Sequence, residues 1–249
     1  MARPDDEGTF VADRHRDWNG FANARSMAGI PTVSGPIRSG RLFRSDLPDC
    51  TADVVEAVLV AECISLVLDL RSQFETDRRP SVLATRRTYR CSPLVDPRMD
   101  HLRDPSSEHS LFDLYRGSLD RNGRAIVEAL RQLIHAPSGG VLVHCAAGKD
   151  RTGIFIAVVL AALGANDTVI VQDYSATEGR LEQYFARELA DIDDPERRAR
   201  LYARRHASPD TMTSLLHHLD ERHGGAASYL ASHGLSDSDL RLLAARLTQ

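Results

Sequence analysis

The sequence predicts an α/β fold, with a mostly parallel central sheet flanked by helices and a helical C-terminal part. Three observations predict it. Residues 64–70 form a continuous run that is β-branched or aliphatic apart from Ser65 and Asp69, which suits a strand buried on both faces. A second apolar run, Val141 to Val143, leads through a short loop into a helical segment ending near Leu163. Helical patterns alternate with the strands, and from about residue 166 only helical patterns remain.

The elements follow in order. Residues 1–40 are mixed in character, with Gly29, Pro31, Gly35, Pro36 and Gly40, and read as an N-terminal arm with little regular structure. Residues 41–249 read as one domain. Gly40-Arg-Leu-Phe-Arg-Ser is a short strand. Thr51 caps a helix over 52–62, with Val54, Val55, Val58 and Leu59 on one side. The strand at 64–70 follows, then a further strand over 87–94 closed by Pro93 and Pro97. Helices are expected at about 109–119 and 123–135, the second ending before Pro137-Ser-Gly-Gly. The helix after Val141–Val143 begins at Arg151 and stops at Gly164, a suitable left-handed terminator. Asn166 or Asp167 caps the next, to about Thr177. Ser208-Pro209 opens a helix that closes at Gly224-Gly225, and Ser236 or Ser238 opens the last.

Composition narrows the function. The chain has 249 residues, 42% of them hydrophobic, enough for one core of ordinary size. A net charge of -4 argues against a nucleic-acid partner or a polybasic membrane-binding surface. The N-terminus shows no apolar leader, and the longest apolar run, Ile154 to Leu163, is too short to span a bilayer. Cys50, Cys63, Cys91 and Cys145 lack metal-ligand spacing and do not form a disulfide framework, so a reducing cytoplasm is the expected location. Cys63 and Cys91 stand in apolar contexts and are expected in the core. Two arginine groups, at 78–90 and 197–205, read as solvated surface or as the rim of an anion site.

The chemistry concentrates in His144-Cys-Ala-Ala-Gly-Lys-Asp-Arg-Thr152. Of 31 basic residues, Lys149 is the single lysine, which suggests a local task for its ammonium. Cys145 ends a strand, lies over a helix N-terminus and precedes Arg151 by six positions. Helix-start amides, the helix dipole, Arg151 and Lys149 all favour the thiolate, the nucleophilic form. The same groups would hold a phosphate dianion: Arg151 through a bidentate fork, the turn through its N–H groups. Ala146, Ala147 and Gly148 are small enough for the backbone to close round an oxyanion. His144 reads as a residue that orients the loop.

This signature resembles that of the protein tyrosine phosphatase superfamily. The Ala-Gly-Lys-Asp-Arg-Thr variant is similar to bacterial tyrosine/serine and lipid phosphatases related to actinobacterial protein tyrosine phosphatase B. Gly-Arg-Leu-Phe-Arg-Ser at 40–45, Asp-Leu-Arg-Ser at 69–72 with Glu75, and the region of Gly224-Gly225 and Tyr229-Leu230 extend the resemblance over nearly the whole chain. It implies a protein-tyrosine-phosphatase-like fold and hydrolysis through a phosphocysteine, without metal or cofactor. Cys145 would attack phosphorus, and Arg151 with the backbone N–H groups of 146–151 would bind the equatorial oxygens. Thr152 would donate its hydroxyl to the sulfur, and Lys149 would add charge at the loop rim.

The general acid is open between Asp96, in the loop after the 87–94 strand, and Asp150 in the signature loop, with Asp100 behind them. No Trp-Pro-Asp tripeptide marks the acid. Asp69 and Arg71, with Ser45 and Asp46, end strands and read as supports. Tyr115, Asp173 and Tyr174 are candidates to line the pocket, and about 180–206 is a candidate cover over the site. The substrate is expected to be a phosphorylated protein, with phosphotyrosine first and phosphoserine or phosphothreonine beside it. A phosphoinositide is the alternative, because an extra cation suits a polyanionic ring. A non-catalytic phosphate-binding module, an arsenate reductase and a sulfurtransferase are the remaining alternatives. Oligomeric state is not legible.

Overall fold

The computed structural model describes residues 14–190 and 192–249. Residues 1–13 of the expected arm, residue 191 and the side chains at 183, 187, 188, 200, 203 and 204 of the expected cover lie outside the described residues. The fold is α/β. Five strands, β1 (Arg25–Ser26), β2 (Leu42–Ser45), β3 (Ile64–Asp69), β4 (Tyr89–Cys91) and β5 (Gly140–His144), lie in the order β1-β2-β5-β3-β4. Only β1 runs antiparallel. The apolar run of β5 occupies the middle, buried along its whole length.

Period-two alternation separates two cores, one on each face of the sheet. Leu42, Leu66, Leu68, Val141 and Val143 face one side and Phe43, Val67 and Leu142 the other. The first face packs on helices α4 (Gly123–Ile134) and α5 (Asp150–Ala162). Helix α5 is apolar almost all round and is buried accordingly. The second face packs on α1 (Ala52–Ala61) and on Phe21 and Ala24. Residues 14–40 have little regular structure beyond β1, yet Phe21, Ala24, Met27 and Ile30 are buried in the two cores.

The remaining helices are α2 (Gln73–Arg78), α3 (Leu111–Arg121), α6 (Asp167–Ser175), α7 (Thr177–Ala190), α8 (Pro195–Arg205), α9 (Pro209–His223), α10 (Ala226–Ser232) and α11 (Asp237–Thr248). Caps agree with the sequence: Asn166 opens α6, Ser208 opens α9, Gly224 closes α9 in a left-handed conformation, and Ser236 opens α11 with a full capping box. Thr51 precedes α1, but its side chain makes no capping bond.

Two cysteine expectations are corrected. Cys63 and Cys91 are exposed. Cys63 lies at the surface in the turn between α1 and β3, not within a strand, and adopts a left-handed φ of 52° there. Cys91 ends β4, the edge strand, where its apolar neighbours in sequence provide no cover.

Parallel pairing sets the site. Register aligns Ser45, His144 and Asp69 across β2, β5 and β3, so three strands end at one level. Carboxyl ends of parallel strands form the ligand crevice of such sheets. Cys145 is the next residue. Among the described residues no helix is long and apolar enough to cross a membrane.

Candidate active site

Residues 145–149 form a tight loop between β5 and α5. Three successive carbonyls are held on its outer side. Leu47 N–H donates to the Ala146 carbonyl at 2.8 Å, Asn23 Nδ2 to that of Ala147 at 3.0 Å, and Arg44 Nη2 to that of Gly148 at 2.6 Å. In a trans peptide the N–H points opposite to its carbonyl. The amides of Ala147, Gly148 and Lys149 therefore face the interior of the loop. Gly148 makes this possible. Its φ is +66°, and a Cβ there would lie 2.2 Å from the Ser45 carbonyl oxygen. Only glycine fits.

Cys145 is 2% exposed and lines a cavity of about 270 Å³. Ala146, Ala147, Lys149, Asp150 and Arg151 form its lower wall. Tyr184 and Phe185 of α7 and Leu201 and Arg205 of α8 stand on the other side, so part of the expected cover segment does line the cavity.

Arg151 is clamped by Glu75. Nη2 donates to Oε1 at 2.8 Å and Nη1 donates to Oε2. Glu75 is in turn fixed by the capping box of α2, accepting from Ser72 N at 3.0 Å and Ser72 Oγ at 2.9 Å. Burial alone would raise the Glu75 carboxyl, but the Arg151 bonds and charge outweigh it and bring it down to about 2. Burial would likewise lower Arg151, yet Glu75 and the Cys145 sulfur raise it, keeping the guanidinium charged. Because the folded Glu75 value lies below the unfolded one, its contribution to stability is complete above about pH 4.5 and is lost as pH falls towards 2. Tm of the parent should therefore drop more steeply across that window than Tm of Glu75→Gln. Parallel curves in a thermal-melt series would rule the clamp out as a source of stability.

His144 is buried. Its Nδ1 lies 3.0 Å from the Cys145 carbonyl, which can only accept, so Nδ1 carries the proton. Its Nε2 is 3.7 Å from Asp69 Oδ2. Asp69 accepts from the Arg71 amide and guanidinium at 2.7–3.0 Å and from Tyr89 Oη at 2.8 Å. Asp69 and Arg71 thus support the end of β3 away from the cavity lining. Thr152 Oγ1 is buried and takes no hydrogen-bond partner, so the expected donation to the sulfur is not made. The α5 register lays Thr152 into the core instead.

Lys149 departs from the sequence reading. Its side chain is 2% exposed, lies in the cavity wall rather than on the rim, and puts Nζ 2.9 Å from Asp150 Oδ1. Asp150 also accepts from Tyr115 Oη at 2.6 Å, which lies 2.9 Å from Tyr174 Oη. Burial is the first cause that lifts both tyrosine hydroxyls above their ordinary range. Tyr115 thus reaches the site through Asp150. Beyond Asp150 and Arg151, Tyr115 helps line an adjoining apolar cavity of about 480 Å³ with Val95, Leu114 and Ile154.

The two candidate acids are separated. Asp150 lines the Cys145 cavity, whereas Asp96 lines another, of about 170 Å³, with Asp100, Arg103 and Glu108. Asp96 caps the 3-10 turn Pro97–Leu102 and is chelated by Arg98, Nε at 3.0 Å and Nη2 at 2.8 Å. Those Arg98 bonds hold it below the usual carboxylate range, the wrong direction for a proton donor.

One group was not legible in the sequence. Asp173 is not a pocket residue. It lies buried beneath the loop and receives Arg14 at 3.2 Å, Arg25 at 3.0 Å and Arg44 at 2.7 Å. Burial would raise Asp173, but Arg25, Arg44 and Arg14 drive it far below the ordinary range. Burial, then the Arg44 charge, brings Arg25 down to about 9. Arg44 links this cluster to the Gly148 carbonyl. Its signal was an arginine within Leu42–Ser45, a strand buried at every position.

A mostly parallel sheet whose central strand delivers a cysteine into an amide-lined loop beside a clamped arginine is the fold and site of a phosphatase. The chain belongs to the tyrosine phosphatase family, whose model matches residues 16–249. It is 31% identical over 204 residues to the triple specificity protein phosphatase PtpB of Mycobacterium tuberculosis, covering 69% of this chain and 72% of that one. It is 28% identical over 213 residues to a tyrosine-protein phosphatase of Nostoc commune, covering 79% and 70%.

Proposed function

We propose that the protein hydrolyses phosphotyrosine in phosphorylated proteins through a phosphocysteine. The observation that carries this reading is the ring of inward amides above Cys145, completed by the Glu75-clamped Arg151. The cavity takes the phosphoryl group with its three equatorial oxygens against the loop amides and the Arg151 fork. The Cys145 thiolate forms an S–P bond as the ester O–P bond breaks. Asp150, which borders the cavity, gives its proton to the departing phenolate. In the second step Asp150 takes a proton from water, water oxygen bonds to phosphorus, and the S–P bond breaks to release inorganic phosphate. Lys149 and Tyr115 fix the Asp150 carboxyl between them. Acid-quenched turnover of a ³²P-phosphotyrosine peptide should leave label on Cys145, and no label under burst conditions would refute the intermediate.

Asp150→Asn should slow phenyl phosphate by roughly 10²–10⁴-fold and para-nitrophenyl phosphate much less, because a poor leaving group needs the proton more. An equal loss on both esters would return the acid role to Asp96, whose Arg98 clamp would then have to open.

The second reading is phosphoinositide hydrolysis. Lys149, an ammonium in the cavity wall, favours it. A relative named for triple specificity is compatible with more than one substrate class. Phosphate release from phosphotyrosine peptide and from short-chain phosphoinositides should be compared for the parent and Lys149→Ala. Turnover of the peptide alone, with equal effects of the variant on binding and rate, would remove the lipid reading.

A further inference from the structure

We infer that Asp120, His218 and His223 form a binding site for one divalent transition-metal ion of the zinc type, on the wall between α3 and α9. Asp120 lies in the last turn of α3, while His218 and His223 lie five residues apart at the end of α9. Both rings turn the same atom to the same point: His218 Nε2 is 2.9 Å and His223 Nε2 3.2 Å from Asp120 Oδ1. All three donor atoms lie within 4.8 Å of one another. A tetrahedral ion with bonds of about 2.0–2.2 Å to imidazole and carboxylate needs donors about 3.3 Å apart. The two nitrogen-to-oxygen separations, 2.9 and 3.2 Å, already lie within a few tenths of an ångström of that need.

The rings are fixed before any ion arrives. The two imidazoles pack edge to face, with centroids 5.7 Å apart at 83°. Phe112 packs against His218 at 76° and Tyr229 against His223 at 74°. Tyr229 is itself anchored, its hydroxyl donating to the Leu119 carbonyl at 2.7 Å. The side chains of His218 and His223 are 16% and 18% exposed, and that of Asp120 39%. An ion can therefore enter from the Asp120 side and keep a water there as its fourth ligand. Two imidazoles and one carboxylate are a donor set that suits zinc, cobalt or nickel. The ion would tie α9 to α3, the helix whose Tyr115 holds Asp150.

Zinc should be titrated into the full-length Cys145→Ser protein, which removes the active-site thiol as a competing ligand. One zinc per chain should survive equilibrium dialysis, and Tm should rise roughly 5–10 °C when free zinc exceeds Kd a hundred-fold. The His218→Ala/His223→Ala variant should lose both effects. Undiminished zinc retention in that variant, or no retained zinc at submillimolar metal, would overturn the site. Imidazole ¹⁵N spectra of the unsubstituted protein need no variant to fold. Zinc should move Nε2 of His218 and His223 and leave the other rings unchanged, and movement elsewhere alone would equally overturn it.

Discussion

Cys145→Ser should still bind a phosphotyrosine peptide but turn it over roughly a thousand-fold or more slowly than the parent. The two halves of that result rest on different atoms. Binding draws on the loop amides, whose direction is set by Leu47, Asn23 and Arg44 holding the carbonyls behind them, and on Arg151. None of these groups is removed by the substitution. Turnover needs a nucleophile, and a serine hydroxyl in a loop without a general base against it is a poor one. Arg151→Lys is the counterpart. It keeps a positive charge but loses the planar fork and one arm of the Glu75 clamp, so binding and turnover should fall together. Calorimetry with the peptide, beside initial rates, separates the two. A serine variant with turnover above a thousandth of the parent would remove Cys145 as nucleophile, and one that no longer binds would show that the sulfur helps hold the loop.

What could be read from the chain was what lies close together in it. The loop at 144–152 is consecutive, so strand, turn and helix start were visible with the residues that use them. The strand alignment that brings Ser45 and Asp69 beside His144 was legible in kind, because parallel strands end on one side. Asp96 was harder. Its loop position suggested an acid, but Asp-Pro-Arg is also a cap followed by its own counter-ion, and that local chemistry claims the carboxylate. Thr152 and Lys149 were placed by sequence proximity, whereas helix register decides that one is in the core and the other in the wall. The Asp173 cluster was out of reach for a different reason. Its arginines come from residues 14, 25 and 44, up to 159 positions away from the carboxylate, and no periodicity joins them.

That cluster carries the largest expected change in stability. Asp173→Asn should cost about 3–5 kcal/mol and lower Tm by on the order of 10 °C. Asp173 is 1% exposed and is the carboxylate shared by Arg14, Arg25 and Arg44. An amide keeps the shape and an acceptor but removes the charge, leaving guanidinium groups in a poorly hydrated interior to repel one another. Arg25 already shows the strain of that setting, being brought down to about 9 even with the carboxylate present. Arg14→Met should cost much less, because Arg25 and Arg44 still balance Asp173 after it is gone. The loss should reach the active site through one bond. Arg44 Nη1 bonds Asp173 while Nη2 bonds the Gly148 carbonyl, so an unanchored Arg44 no longer fixes that peptide and its inward amide. At a temperature where the Asp173→Asn protein is folded, kcat should therefore fall while the pH profile keeps its shape. Melts and rates of the two variants side by side decide the matter. Equal costs for Asp173→Asn and Arg14→Met would mean that packing, and not the shared charge, holds the loop from below.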